Sequence, residues 1–204
     1  MAHPDDKAFA GSFEITDNPS PDKEHDDFFK WIGICIKEWA KIENQLFEIC
    51  EIVLRTDRRR VAVIYYRTPS IEARISLTSD LLETLWPKKA GEHDAAEWIE
   101  WKSLRDDIRK LLPVRNLLAH SPINYRLSIK AKAVDSGDAE ILSQNSWIEI
   151  ATSPQETLRT GTRKTIKLVG DEPNMQTHFR DVRSALNRLV AYRMKLQEKI
   201  LGHP

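Results

Sequence analysis

Residues 113–122 read PVRNLLAHSP, and they lie where one hydrophobic pattern ends and another begins. Upstream, apolar residues recur every three or four positions, as in a helix with one buried face. Downstream, INYRLSIKAKA at 123–133 alternates without a break. Ile123, Tyr125, Leu127, Ile129, Ala131 and Ala133 fall on one side, and Asn124, Arg126, Ser128, Lys130 and Lys132 on the other. That period of two predicts a half-buried strand. Pro122 disfavours helical geometry at Ser121, so the helix is expected to stop there. Pro113 removes a helical hydrogen bond and crowds the carbonyl of Arg109, which predicts a kink or a restart.

Moving outward toward the N-terminus, a fourth helix is expected from about Asp94 to His120, after a turn at PKKAG (87–91). Before it, TPSIEARISLTSDLLETLW has Thr68 and Pro69 as a favoured helix start, and Ile71, Ile75, Leu77, Leu81, Leu82 and Leu85 as its apolar face. TDRRRVAVIYYR reads either as a shorter helix capped by Thr56 or Asp57, or, given its β-branched content, as a strand. From His25 to Arg55, Phe28, Ile32, Cys35, Trp39, Ile42, Leu46, Ile49, Cys50 and Val53 define one long amphipathic helix, with Gly33 its weak spot. Residues 1–22 are rich in Asp, Pro and Ser and read as a flexible arm, FEIT (13–16) offering one short strand.

Toward the C-terminus, DSGD (135–138) signals a turn, and SWIEIAT and RKTIKLV read as two further strands around a loop with Pro154 and Gly161. Met175, Phe179, Val182, Leu186, Leu189, Val190 and Ile200 then mark a last helix from about Pro173 to Leu201. The expected architecture is mostly α: an up-and-down helical bundle over 23–204 as one domain. An antiparallel β-meander is inserted at about 123–169, before the last helix.

Composition narrows the function classes. Lys and Arg total 31, as do Asp and Glu, so an anionic partner must be held by a local patch and not by the overall field. Cys35 and Cys50 make no disulfide scaffold, and a reducing cytoplasm is the expected location. No apolar run approaches the roughly 18 residues of a membrane span, and the N-terminus lacks a signal-peptide pattern. The six histidines are scattered without zinc-ligand spacing, and neither a phosphate-binding glycine loop nor a G-x-S-x-G motif is present. No metal or cofactor is expected.

Three residues in the opening stretch break the rules of a core helix. With Leu111 set at zero and about 100° per residue, Leu104, Ile108 and Leu118 fall within roughly 60° of it, and Arg115 falls among them. A guanidinium there must be paired or lie in a cleft. Glu43 falls inside the stripe of Trp39, Ile42, Leu46 and Cys50, and is the expected partner. His120, five residues on, lies about 140° round an ideal helix from Arg115 and would not share its face in a straight helix; Pro113 and Pro122 are expected to leave it in a last turn free to be re-aimed. Asn116, four residues earlier, is placed to steady it. Such a pair inside a bundle is more often structural than catalytic, and a terminal histidine also serves as a favourable end charge.

The segment RNLLAH, Arg115 to His120, resembles the R-x4–6-H signature of HEPN domains, in which a polar residue, here Asn116, commonly follows the arginine. The resemblance covers about residues 24–122 and the last helix. It implies a helical bundle that forms a homodimer, and a metal-independent endoribonuclease whose two motifs meet in one cleft. Arg115 and His120 would be catalytic, with Asn116 supporting and Glu43 orienting Arg115. It also implies RNA as substrate, a defence or toxin–antitoxin setting, and an antitoxin-like protein partner. In the toxin branch that pairs with a nucleotidyltransferase antitoxin, a tyrosine lies two residues past the histidine; here that position is Pro122, and the nearest tyrosine is Tyr125. The alternatives are a non-catalytic HEPN module that binds RNA, nucleotide or protein, and a structural helical adaptor. Arg126, Lys130, Lys132, Arg163, Lys164 and Lys167 are either an RNA-facing surface or a solvated sheet face. RRR at 58–60 is either a solvated helix start or an RNA contact.

Overall fold

A computed structural model describes residues 23–86, 95–121, 123–133, 139–151, 161, 165–167 and 174–202. The N-terminal arm with FEIT, the PKKAG and DSGD turns and the Pro154 loop lie outside them. Among the described residues there are five helices: α1 (Lys23–Leu54), α2 (Arg58–Arg67), α3 (Ile71–Glu83), α4 (Ala96–His120) and α5 (Met175–Leu201). The protein is a mostly helical bundle. No helix among the described residues is long and apolar enough to cross a membrane.

The long α1 is the organising element. Its buried Trp39, Ile42, Leu46, Ile49 and Cys50 follow the helical period, and α1 packs along α5 while also touching α2, α3 and α4. Trp101 of α4 is fully buried and donates its indole N–H to Ser79 Oγ on α3 at 3.1 Å. Ser79 and Thr78 are buried although polar. Their hydroxyls bond back to the carbonyls of Ile75 and Arg74, at 2.9 and 2.8 Å, so neither is left unsatisfied. A second, smaller cluster joins Phe28 and Cys35 of α1, Leu117 and Leu118 of α4, Met175 of α5 and Ile150.

Residues 58–67 form a helix, not a strand. Asp57 accepts from the backbone N–H groups of Arg59 and Arg60 at 3.0 and 3.4 Å. Val61 and Tyr65, one turn apart, are the residues buried. The next helix is capped by Ser70, which accepts from Ala73 N at 3.1 Å, so the cap lies two residues beyond Thr68. α4 runs unbroken through Pro113, so of the kink or restart expected there the restart does not occur. Pro113 is exposed, which puts the lost hydrogen bond on the solvent side, where water can satisfy the free carbonyl.

β1 (Ile123–Ala133), β2 (Ala139–Ala151) and β3 (Thr165–Lys167) pair antiparallel in the order β1-β2-β3. β2 begins seven residues before the strand expected at Ser146. Its first half, AEILSQN, lacks apolar alternation but pairs with β1 through backbone groups. The register slips between Lys130 and Ala131, where Leu142 has no residue opposite. Ile150 and Ala151 are buried, and α4 touches both β2 and β3.

Candidate functional site

The charged residues that fall inside apolar stripes meet at one place. Arg115 Nη2 on α4 donates to Glu43 Oε1 on α1 at 3.4 Å, with the side chains 25% and 22% exposed. The pair is therefore half-buried, at the rim of the bundle. Glu43 has a second partner that the sequence reading missed: Arg74 Nη1 of α3 donates to its Oε2 at 2.5 Å. One carboxylate thus faces two guanidinium groups, and the three charges sum to plus one. That excess suits an anion better than a closed structural pair does.

The surroundings hold Glu43 and Arg74 in place. The buried Tyr65 donates its hydroxyl to the Glu43 carbonyl at 2.8 Å, and burial, first of all, raises its pKa above the usual phenol value. Arg74 also donates Nε to the Thr68 carbonyl at 3.2 Å and lies over the rings of Tyr65 and Tyr66, 5.3 and 5.7 Å from their centroids. A pocket of about 100 Å³ opens at Arg115 and Glu43, lined also by Ile36, Trp39, Leu118 and Ala119.

Asn116 and His120 are both exposed. The Asn116 amide oxygen accepts from Arg115 Nη1 at 3.2 Å, so Asn116 steadies the arginine and not, as its spacing suggested, the histidine. His120 makes no hydrogen bond to any described residue, and its imidazole stands open in the last turn of α4. Arg74 had a signal of the same kind as Arg115. It lies three residues after Ile71 and four before Thr78, on the border of the α3 stripe.

Away from this site, a larger groove of about 590 Å³ runs between α4 and α5, lined by Asp107, Lys110, His178, Asp181 and Arg188 among others. His178 is 4% exposed, and its Nε2 accepts the indole N–H of Trp39 at 3.1 Å. Burial pushes its imidazole down to about 4. It is thus a neutral fastener between α1 and α5. Among the described residues no group of three or more His, Cys, Asp or Glu side chains is arranged to hold a metal. Compared with protein-family models, curated proteins and solved structures, the chain matches none of them.

Proposed function

We propose that the chain is a HEPN-like, metal-independent endoribonuclease acting as a homodimer in a defence or toxin–antitoxin setting, with the sheet of 123–169 inserted before the last helix. The observation that carries this reading is the pairing of Arg115 with Glu43 at an open rim, on the same helix whose last turn exposes His120. RNA brings its own nucleophile, the 2′-OH. A histidine whose ordinary pKa is near neutrality takes and returns the proton, and an arginine offsets the negative charge that builds on phosphorus. In this scheme Glu43 and Asn116 set the plane of the Arg115 guanidinium. Beside the pocket, Phe29, Gly33, Ile36 and Ala40 recur at spacings of four, three and four on the exposed side of α1, a stripe suited to a second copy of the chain.

The test is incubation of purified protein with single-stranded RNA in excess chelator. Cleavage that persists there, that stops in His120→Ala, and that leaves a cyclic phosphate supports the reading. Undiminished cleavage by His120→Ala overturns it. A second reading, a non-catalytic HEPN module, is favoured by one feature: Glu43 and Asn116 both already engage the Arg115 guanidinium. It calls for RNA or nucleotide binding without turnover.

A further inference from the structure

The helix α2 has a face that the core does not use. Its sequence, RRRVAVIYYR, carries four arginines and no carboxylate. Val61 and Tyr65 are turned inward; Arg59, Val63 and Tyr66 share the opposite side, with Arg60 and Arg67 next to them. Glu51 neutralises Arg58, whereas Arg59, Arg60 and Arg67 have no ion pair among the described residues. Tyr66 is 58% exposed. Its ring stacks on Phe47 with centroids 5.6 Å apart, and Arg58 lies 4.8 Å from the Phe47 centroid. Arg74, over Tyr66, is also the residue that grips Glu43. Arg58, the stacked Phe47 and Tyr66 rings, and Arg74 therefore form one contiguous row of cationic and aromatic groups from α2 to the Glu43–Arg115 pair.

We infer that this outer face of α2 is a track for single-stranded RNA, with Arg59 and Arg67 on phosphates and Tyr66 against a base, leading the strand toward Arg115 and His120. The choice of RNA rests on the ribonuclease reading. The choice of a single strand rests on the surface itself. In a chain of zero net charge an anionic polymer needs a local basic patch, and α2 supplies one. An exposed aromatic among arginines reads the π-face of an unstacked base, which a duplex keeps inside. An anionic lipid surface fits less well. The outer face offers only Val63 and Ile64 as aliphatic groups, and a helix lying on a membrane needs a continuous apolar side.

The experiment is fluorescence anisotropy of a labelled single-stranded oligoribonucleotide, titrated with the full chain carrying His120→Ala so that the probe is not consumed. In that background Tyr66→Ala weakens binding about tenfold and Tyr66→Phe retains it. Replacing Arg59 and Arg67 by Ala lowers the slope of log affinity against log salt by about 0.7 for each arginine. The same sequence as a duplex binds more weakly. Thermal melts confirm that these exposed substitutions leave the bundle folded. Unchanged affinity and slope, equal binding of the duplex, or capture on phosphatidylserine vesicles without RNA binding overturns the inference. Binding that depends on Tyr66, with no cleavage by the wild-type protein, sinks the ribonuclease reading and leaves the track standing. Cleavage that stops in His120→Ala, with the α2 variants binding normally, does the reverse.

Discussion

Glu43 on α1 accepts a hydrogen bond from Arg115 on α4 at 3.4 Å, across 72 positions of sequence, and its second oxygen is taken by Arg74. Because the carboxylate serves two arginines, removing it and removing one of its partners are not equivalent. Glu43→Gln leaves two guanidinium groups facing each other and is expected to cost about 2–3 kcal/mol. Arg115→Ala leaves Glu43 with Arg74 and is expected to cost about 1 kcal/mol, since the pair is a quarter exposed. Urea midpoints of the single and double variants measure this. Equal losses that simply add would show that the two side chains are not coupled.

For His120 a separation of activity from stability is expected. It is exposed and hydrogen-bonds to no described residue, so His120→Ala should move the urea midpoint by less than about 0.5 kcal/mol while ending RNA cleavage. An all-deoxy substrate of the same sequence should stay intact with the wild-type protein, because it lacks the internal nucleophile. Degradation of that substrate at a comparable rate would remove the 2′-OH from the mechanism.

The neutral His178 makes stability depend on pH. Its folded pKa is about 4, below the ordinary 6.5. Between those values the unfolded chain binds the proton and the folded chain does not, so stability falls as the pH is lowered through that window. The loss is about 1.4 kcal/mol per pH unit and at most about 3 kcal/mol in all. A falling Tm from pH 7 to pH 5 is expected, and His178→Gln should flatten part of that slope. An identical slope in the variant would assign the acid sensitivity to other groups.

Two helix caps offer a local check on the boundaries. Asp57 and Ser70 each accept from backbone N–H groups of the first turn they precede. Either one changed to Ala should cost about 1 kcal/mol, and Thr68→Ala less than Ser70→Ala. The reverse order in thermal melts would move the start of α3 back to Thr68, as the sequence alone suggested.

Much of the bundle could be read from residue order, because a helix with one buried face writes its period into the chain. The stripes from Phe28 to Cys50 and from Met175 to Ile200 need no partner to be recognised, and the end of α4 follows from Pro122 acting on its neighbour. The Glu43–Arg115 pair was legible for a related reason: a charge inside an apolar stripe demands a counter-charge wherever the stripes meet. Other features depend on which faces meet and at what height, which no local pattern encodes. Arg74 shares Glu43 because α3 is packed against α1. Asn116 turns to Arg115 because that guanidinium is held within its reach by Glu43. Of the two readings open for residues 58–67, the helix capped by Asp57 holds: a strand would have put Val63 on the same face as the buried Val61 and Tyr65, and Val63 is exposed. Trp39 and His178, 139 positions apart, become a buried hydrogen-bonded pair only when α1 and α5 lie side by side.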